Sequence, residues 1–140
     1  MYQRLSSNLE EAANRAEATA LLIRCGYKVY HPEADTEGED LVLRNPKGEL
    51  IPVQLKARVY VSKPRYGDKG LWLLMPSGPF QPDAKRRWYL VPHDELFGHV
   101  EGRHGNSAPT WAGEWSYPSM PRHIVEFLSP FEVLPTQLSA

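Results

Sequence analysis

Asp40 stands at the head of the apolar run Leu41-Val42-Leu43. After a short turn comes the alternating run Ile51-Pro52-Val53-Gln54-Leu55-Lys56-Ala57-Arg58. In a strand, residues i and i+2 share a face. Gln54, Lys56 and Arg58 are therefore expected to point one way, and Val53, Leu55, Ala57 and Val59 into a core. A carboxylate and an amide offer oxygen ligands to a hard cation, and a lysine beside them fixes a positive charge. A metal-dependent phosphodiesterase needs these parts to activate water and to offset charge on the attacked phosphate. Each residue also has a plainer reading: Asp40 as a loop aspartate closing an acidic run, Gln54 as an exposed strand residue, Lys56 as a surface lysine on an edge strand.

Several elements must hold these residues in place. Ser7-Asn8-Leu9-Glu10-Glu11 reads as a helix start, with Ser7 and Glu10, or Asn8 and Glu11, at capping-box spacing. Leu9, Ala12, Ala13, Ala16, Ala20 and Ile23 then fall on one helical face, and Gly26 is a left-handed stop after Cys25. Tyr27 to Tyr30 and Leu41 to Arg44 read as strands, Asn45-Pro46-Lys47-Gly48 as a tight turn, and Leu50 to about Val61 as the longest alternating strand. The pattern predicts an antiparallel run covered by the first helix. In the second half, Ser62 to Gly70 reads as a polar, basic loop, Leu71 to Met75 and Arg87 to Val91 as strands, and Glu95 to about Val100 as a short helix capped by Asp94. Gly102 to Met120 reads as irregular, anchored by Trp111, Trp115 and Tyr117. A last helix opens at Ser119-Met120-Pro121 and runs to Leu128. With no internal repeat and no linker, residues 1–140 are expected to form one α/β domain.

The order of Asp40 and then Gln54-Leu55-Lys56 resembles the PD-(D/E)XK nuclease superfamily, in which an Asp is followed by Glu-x-Lys on the next strand. Some of its families carry Gln in place of that Glu. The stretch from Ala16-Glu17-Ala18 through Gly26-Tyr27-Lys28-Val29 is similar to the superfamily's opening helix and first strand, so the resemblance covers about residues 8 to 60. It implies a mixed β-sheet flanked by helices, of restriction-endonuclease-like or Holliday-junction-resolvase-like type. It implies Mg²⁺ or Mn²⁺ held by Asp40, Gln54 and a carboxylate from the helix, with Lys56 orienting the attacking water. Glu17 is the helix carboxylate expected at that site, and Glu10, two turns earlier on the same line, is its rival. The resemblance further implies DNA as substrate, a 5′-phosphate product and, for double-strand cleavage, a homodimer. One departure stands out: the superfamily places a helix after the Glu-x-Lys strand, where residues 62–70 read as a loop.

Charge distribution agrees with a nucleic-acid partner although the net charge is only −1. Residues 31–43 carry Glu33, Asp35, Glu37, Glu39 and Asp40 with no Lys or Arg. Residues 44–87 carry ten basic residues against Glu49, Asp68 and Asp83. Arg58, Lys63, Arg65 and Lys69 follow the active strand with Tyr60 and Tyr66 among them, and Arg86 and Arg87 precede Trp88. Basic residues interleaved with aromatics suit backbone phosphates and unstacked bases, and equally serve solubility. A lone Cys25 excludes a disulfide framework, and the five histidines lack the spacing of a zinc site. No apolar run is long enough to span a membrane, and the cytoplasm is the expected compartment. Two rival readings remain. One is a degenerate, non-catalytic member of the fold that binds nucleic acid or a protein; the other is an accessory protein docking through Trp111 to Tyr117.

Overall fold

The computed structural model describes residues 5–34, 38–83 and 85–135; Asp35 and Glu37 of the acidic run lie outside the described residues. In chain order the elements are α1 (Ser7–Arg24), β1 (Lys28–Tyr30), β2 (Leu41–Arg44), β3 (Leu50–Leu55), β4 (Tyr60–Ser62), α2 (Lys63–Tyr66), β5 (Trp72–Pro76), β6 (Trp88–Pro92), α3 (His93–His104), β7 (Glu114–Ser116) and α4 (Arg122–Leu128), which a short 3₁₀ turn, Ser129–Phe131, follows. Five strands form one mixed sheet in the order β1-β2-β3-β5-β6, and β4 pairs with β7 in a two-stranded sheet. The pairing is antiparallel throughout the larger sheet except between β3 and β5, which run parallel. The expected α/β architecture, a mixed sheet flanked by helices, is present.

Alternation along the strands gives the sheet two buried faces. Leu41, Leu43, Ile51, Val53, Leu74, Trp88 and Leu90 pack with Ala18, Leu22 and Cys25 of the α1 segment. Leu73, Met75, Tyr89 and Val91 point the other way and pack with Val59, Val61, α3 residues Leu96, Phe97 and Val100, and α4 residues Ile124 and Leu128. Covering both faces explains why β5 and β6 read as unbroken apolar runs. Pro52 is tolerated in a central strand because the parallel pairing to β5 begins only at Val53. The turn between β2 and β3 forms as expected: Asn45 Oδ1 accepts the N–H groups of Lys47 and Glu49, and Gly48 has φ +89°.

Several sequence expectations are corrected. The helix cap is Ser6, ahead of both expected candidates, Ser7 and Asn8, with its side chain accepting from Leu9 N–H. The buried stripe of α1 is Asn14, Ala18 and Leu22, whereas Leu9 and Ile23 are 58% and 57% exposed. Alanines add little to either face, so the larger Leu22 and the contacts of Asn14 decide the rotation. The long strand ends at Leu55, because the chain bends at Ala57-Arg58 and leaves one sheet for the other. Residues 63–66 form a one-turn helix capped by Ser62, with Pro64 in its first turn. The connection from β3 to the parallel β5 thus runs through β4 and α2. The helix after β6 is longer than predicted, reaching His104, and the segment read as irregular contains β7. Trp111, Trp115 and Tyr117 pack against the second core. Among the described residues, no helix is long and apolar enough to cross a membrane.

Candidate active site

The register of the β2–β3 pair sets the first two side chains. Leu41 pairs with Val53, so one step further Asp40 stands opposite Gln54, at the spacing where facing side chains interact. Asp40 N–H donates to Val53 O at 2.7 Å. Its Oδ2 accepts from Leu55 N–H at 2.9 Å, as a backbone carbonyl of a longer β2 would. That bond fixes the carboxylate at the sheet's end. Lys56 follows directly and is tied to β5 by its own N–H, which donates to Leu74 O at 2.9 Å.

Asp40, Gln54, Leu55, Lys56 and Ala57 line one cavity of about 440 Å³, and its other wall is the first turns of α1: Ser7, Glu10, Glu11 and Asn14. The helix carboxylate at this cavity is therefore Glu10, with Glu11 beside it. Glu17 is engaged elsewhere. Its Oε1 accepts from Arg86 Nη2 at 2.9 Å, and its Oε2 from Arg86 Nε at 3.1 Å and from Trp88 Nε1 at 2.5 Å. Arg86 gives further bonds to Asn14 Oδ1 and to Gly78 O, at 2.6 and 3.0 Å, and its side chain is only 5% exposed. Glu17, expected as a ligand, and Arg86, expected as a phosphate contact, are each other's partners in this structure.

Lys56 carries the positive charge of the cavity between two aromatic rings. Its Nζ lies 5.0 Å from the centroid of Tyr60 and 5.1 Å from that of Tyr66, within cation–π range. Both rings are themselves held. Tyr60 OH donates to Glu114 Oε1 at 3.2 Å, and Tyr66 meets His93 edge-on at 5.6 Å. Sequence reading placed Tyr60 and Tyr66 among base-stacking residues; here they flank the lysine. Arg58, Lys63, Arg65, Lys69 and Arg87 are exposed, with Lys63 and Arg65 on α2 and Lys69 in the turn after it.

The fold is similar to that of a bacterial homing endonuclease. That solved structure, I-Ssp6803I, superposes over 92% of this chain and 88% of its own, with a TM-score of 0.54 and 16% sequence identity. At that identity the likeness is one of fold. No known family model and no curated protein matches the sequence.

The oxygen donors that line the cavity are of the types a hard cation takes. Asp40, Glu10 and Glu11 bring carboxylate oxygens and Gln54 an amide oxygen to its walls, the ligand types that Mg²⁺ and Mn²⁺ take. Three acids facing one cavity would repel a phosphodiester, and a divalent cation offsets that charge. Among the described residues, no three His, Cys, Asp or Glu side chains are grouped closely enough to hold a metal by themselves.

Two histidine arrangements were not legible in sequence. His93 is wholly buried, and its Nε2 accepts from Ser62 N–H at 3.1 Å. That assigns the ring proton to Nδ1, which donates to Asp94 Oδ1 at 2.9 Å. Burial pushes the His93 pKa below its ordinary 6.5, more strongly than Asp94 raises it. The unfolded chain therefore binds a proton that the folded chain does not. Stability is full above pH 6.5 and falls as pH drops below it, by up to about 1.4 kcal/mol per pH unit for this one proton. Urea unfolding between about pH 7.5 and about pH 5 measures that slope, and His93→Gln should flatten it. On the far side of α3, His99 Nε2 meets His123 Nδ1 at 3.1 Å, and Tyr117 OH meets His104 Nε2 at 2.6 Å. Burial first, and then the nearby Arg103, lower the pKa of both His104 and His123.

Proposed function

We propose that the chain is a metal-dependent nuclease of PD-(D/E)XK type that hydrolyses phosphodiester bonds in DNA. The observation that carries this reading is the meeting of Asp40, Gln54 and Lys56 at one cavity, with the helix carboxylate Glu10 on the facing wall. The fold shared with a homing endonuclease supports it, as does the basic run that continues from the site through Arg58, Lys63, Arg65 and Lys69. Mg²⁺ or Mn²⁺ held by Asp40, Gln54 and Glu10 would supply a water of lowered pKa and polarise the phosphate. The chain's own groups do the positioning. Leu55 N–H orients Asp40, and the rings of Tyr60 and Tyr66 hold Lys56, whose ammonium offsets charge growing on the phosphate oxygens. Cleavage of both strands of a duplex would take two copies, one per strand.

Nicking of supercoiled plasmid with Mg²⁺, with Mn²⁺ and with chelator tests the proposal. Nicking that requires the metal supports it. Absence of nicking on duplex, branched and single-stranded DNA removes it in favour of a non-catalytic binder, which would hold DNA equally well with chelator.

Gln54 gives a second, independent measurement. Replacing an amide oxygen by an anionic one strengthens binding of a hard cation. Gln54→Glu should therefore raise Mn²⁺ affinity by about tenfold or more, read by calorimetry on the purified protein. Unchanged affinity in a folded variant would remove Gln54 from the ligand set.

A further inference from the structure

A second cavity, of about 480 Å³, adjoins the candidate site; Glu10, Asn14 and Ala57 line both. Its walls include the apolar side chains of Phe80, Tyr117 and Met120, and its polar lining includes Arg58 and Ser77. Arg58 also lines a third cavity, which it shares with Lys56 and Tyr60. The bend Lys56-Ala57-Arg58 is thus where the three cavities meet, and it carries two cations.

We propose that this second cavity receives an unpaired nucleobase from the nucleotide next to the scissile phosphate. The preferred substrate is then DNA with an unpaired nucleotide at the cleavage point, rather than uniform duplex. The inference rests on the nuclease reading for the word cleavage, but not for the binding. Size and shape carry it first: the volume is in the range that encloses a small flat ligand. A base stacked in a duplex cannot enter such a recess, and one taken out of the stack can. The second argument is chemical. Aromatic and apolar side chains offer a base a surface to stack on, and Asn14 and Ser77 are polar side chains at the same cavity. The third is rigidity. Arg86 lies 5.4 Å from the Phe80 ring and bonds Gly78 O, Asn14 and Glu17 at once; Tyr117 is anchored on His104. A wall fixed before binding loses little freedom on binding.

Fluorescence anisotropy in chelator tests the binding with no cleavage in play. The probes are a matched duplex, the same duplex with one unpaired adenine, and the same with an abasic residue in place of that adenine. Wild type should bind the unpaired-adenine duplex about tenfold tighter than either of the others, the scale of one stacked base. Phe80→Ala and, separately, Met120→Ala should bring that ratio to within about twofold while leaving matched-duplex affinity unchanged. Equal binding of the abasic and adenine probes would overturn the proposal, since a bulge that merely makes DNA easier to bend needs no base. So would variants that weaken all three probes alike. The nicking assay keeps the two readings apart. Preference without nicking leaves the base pocket standing and removes the nuclease, and nicking without preference does the reverse.

Discussion

Lys56→Ala and Asp40→Ala should each abolish metal-dependent nicking of supercoiled plasmid while leaving DNA affinity within about tenfold of wild type. The asymmetry follows from what each residue faces. Both side chains line the cavity where the phosphate would sit, so their loss falls on the step in which charge develops. Binding would draw on several phosphate contacts, and removing one would take a modest share of that electrostatic term. Arg65→Ala and Lys69→Ala are the complementary pair. Both residues are exposed, so each substitution should weaken binding by an amount that fades at high salt. Each should reduce the slope of log affinity against log salt by up to about one unit. Nicking assays and anisotropy at several salt concentrations measure the two effects side by side. Continued metal-dependent nicking by purified Lys56→Ala would take the lysine out of the mechanism.

Arg86→Met should lower the free energy of unfolding by about 3 kcal/mol, the low end of the cost of breaking a buried ion pair. The Arg86 side chain is 5% exposed and that of its partner Glu17 28% exposed, so water relieves part of the orphaned carboxylate's cost. The substitution also frees Asn14 Oδ1 and Gly78 O of their donor. Urea denaturation measures the loss. Asn14 lies in the first half of α1, next to the turns that carry Glu10 and Glu11, so the same variant should impair nicking through the placement of those carboxylates. If Arg86 instead served as a surface contact to phosphate, Arg86→Met would leave stability nearly unchanged and weaken DNA binding.

The parts of this molecule that the sequence made legible are those decided by near neighbours. The alternation around Val53, the Asn45–Gly48 turn and the apolar run after Asp40 are local signals, and together they put Asp40 and Gln54 across from one another. The choice between Glu10 and Glu17 was not local. It turned on Arg86, 69 residues beyond Glu17, whose bonds claim that carboxylate. The rotation of α1 escaped for a related reason: its alanines fit either face, and Asn14, a polar residue outside the expected apolar face, is buried through its bond to the same arginine, 72 residues away. Likewise β4 and β7 have three residues each and exist as strands only because they pair with one another. The apolar character of β5 and β6 marked them as strands without saying that β5 would run parallel to β3.

The tie between Tyr60 and Glu114 spans 54 residues of chain. Asp40 and Gln54, by contrast, are brought together by a short hairpin that can close early, since small loops cost little entropy to form. The Asp40–Gln54 side of the cavity can therefore assemble while the C-terminal third is still unfolded, and the ring that helps aim Lys56 cannot be locked until β7 has docked. Contacts of such separation tend to arrive late in folding. A cation that met the hairpin at that stage would find Asp40 and Gln54 together but Glu10 not yet placed and the lysine still swinging. The order in which the hairpin and the last strand form becomes a kinetic property of the protein, one that the short motif carried by its first sixty residues does not contain.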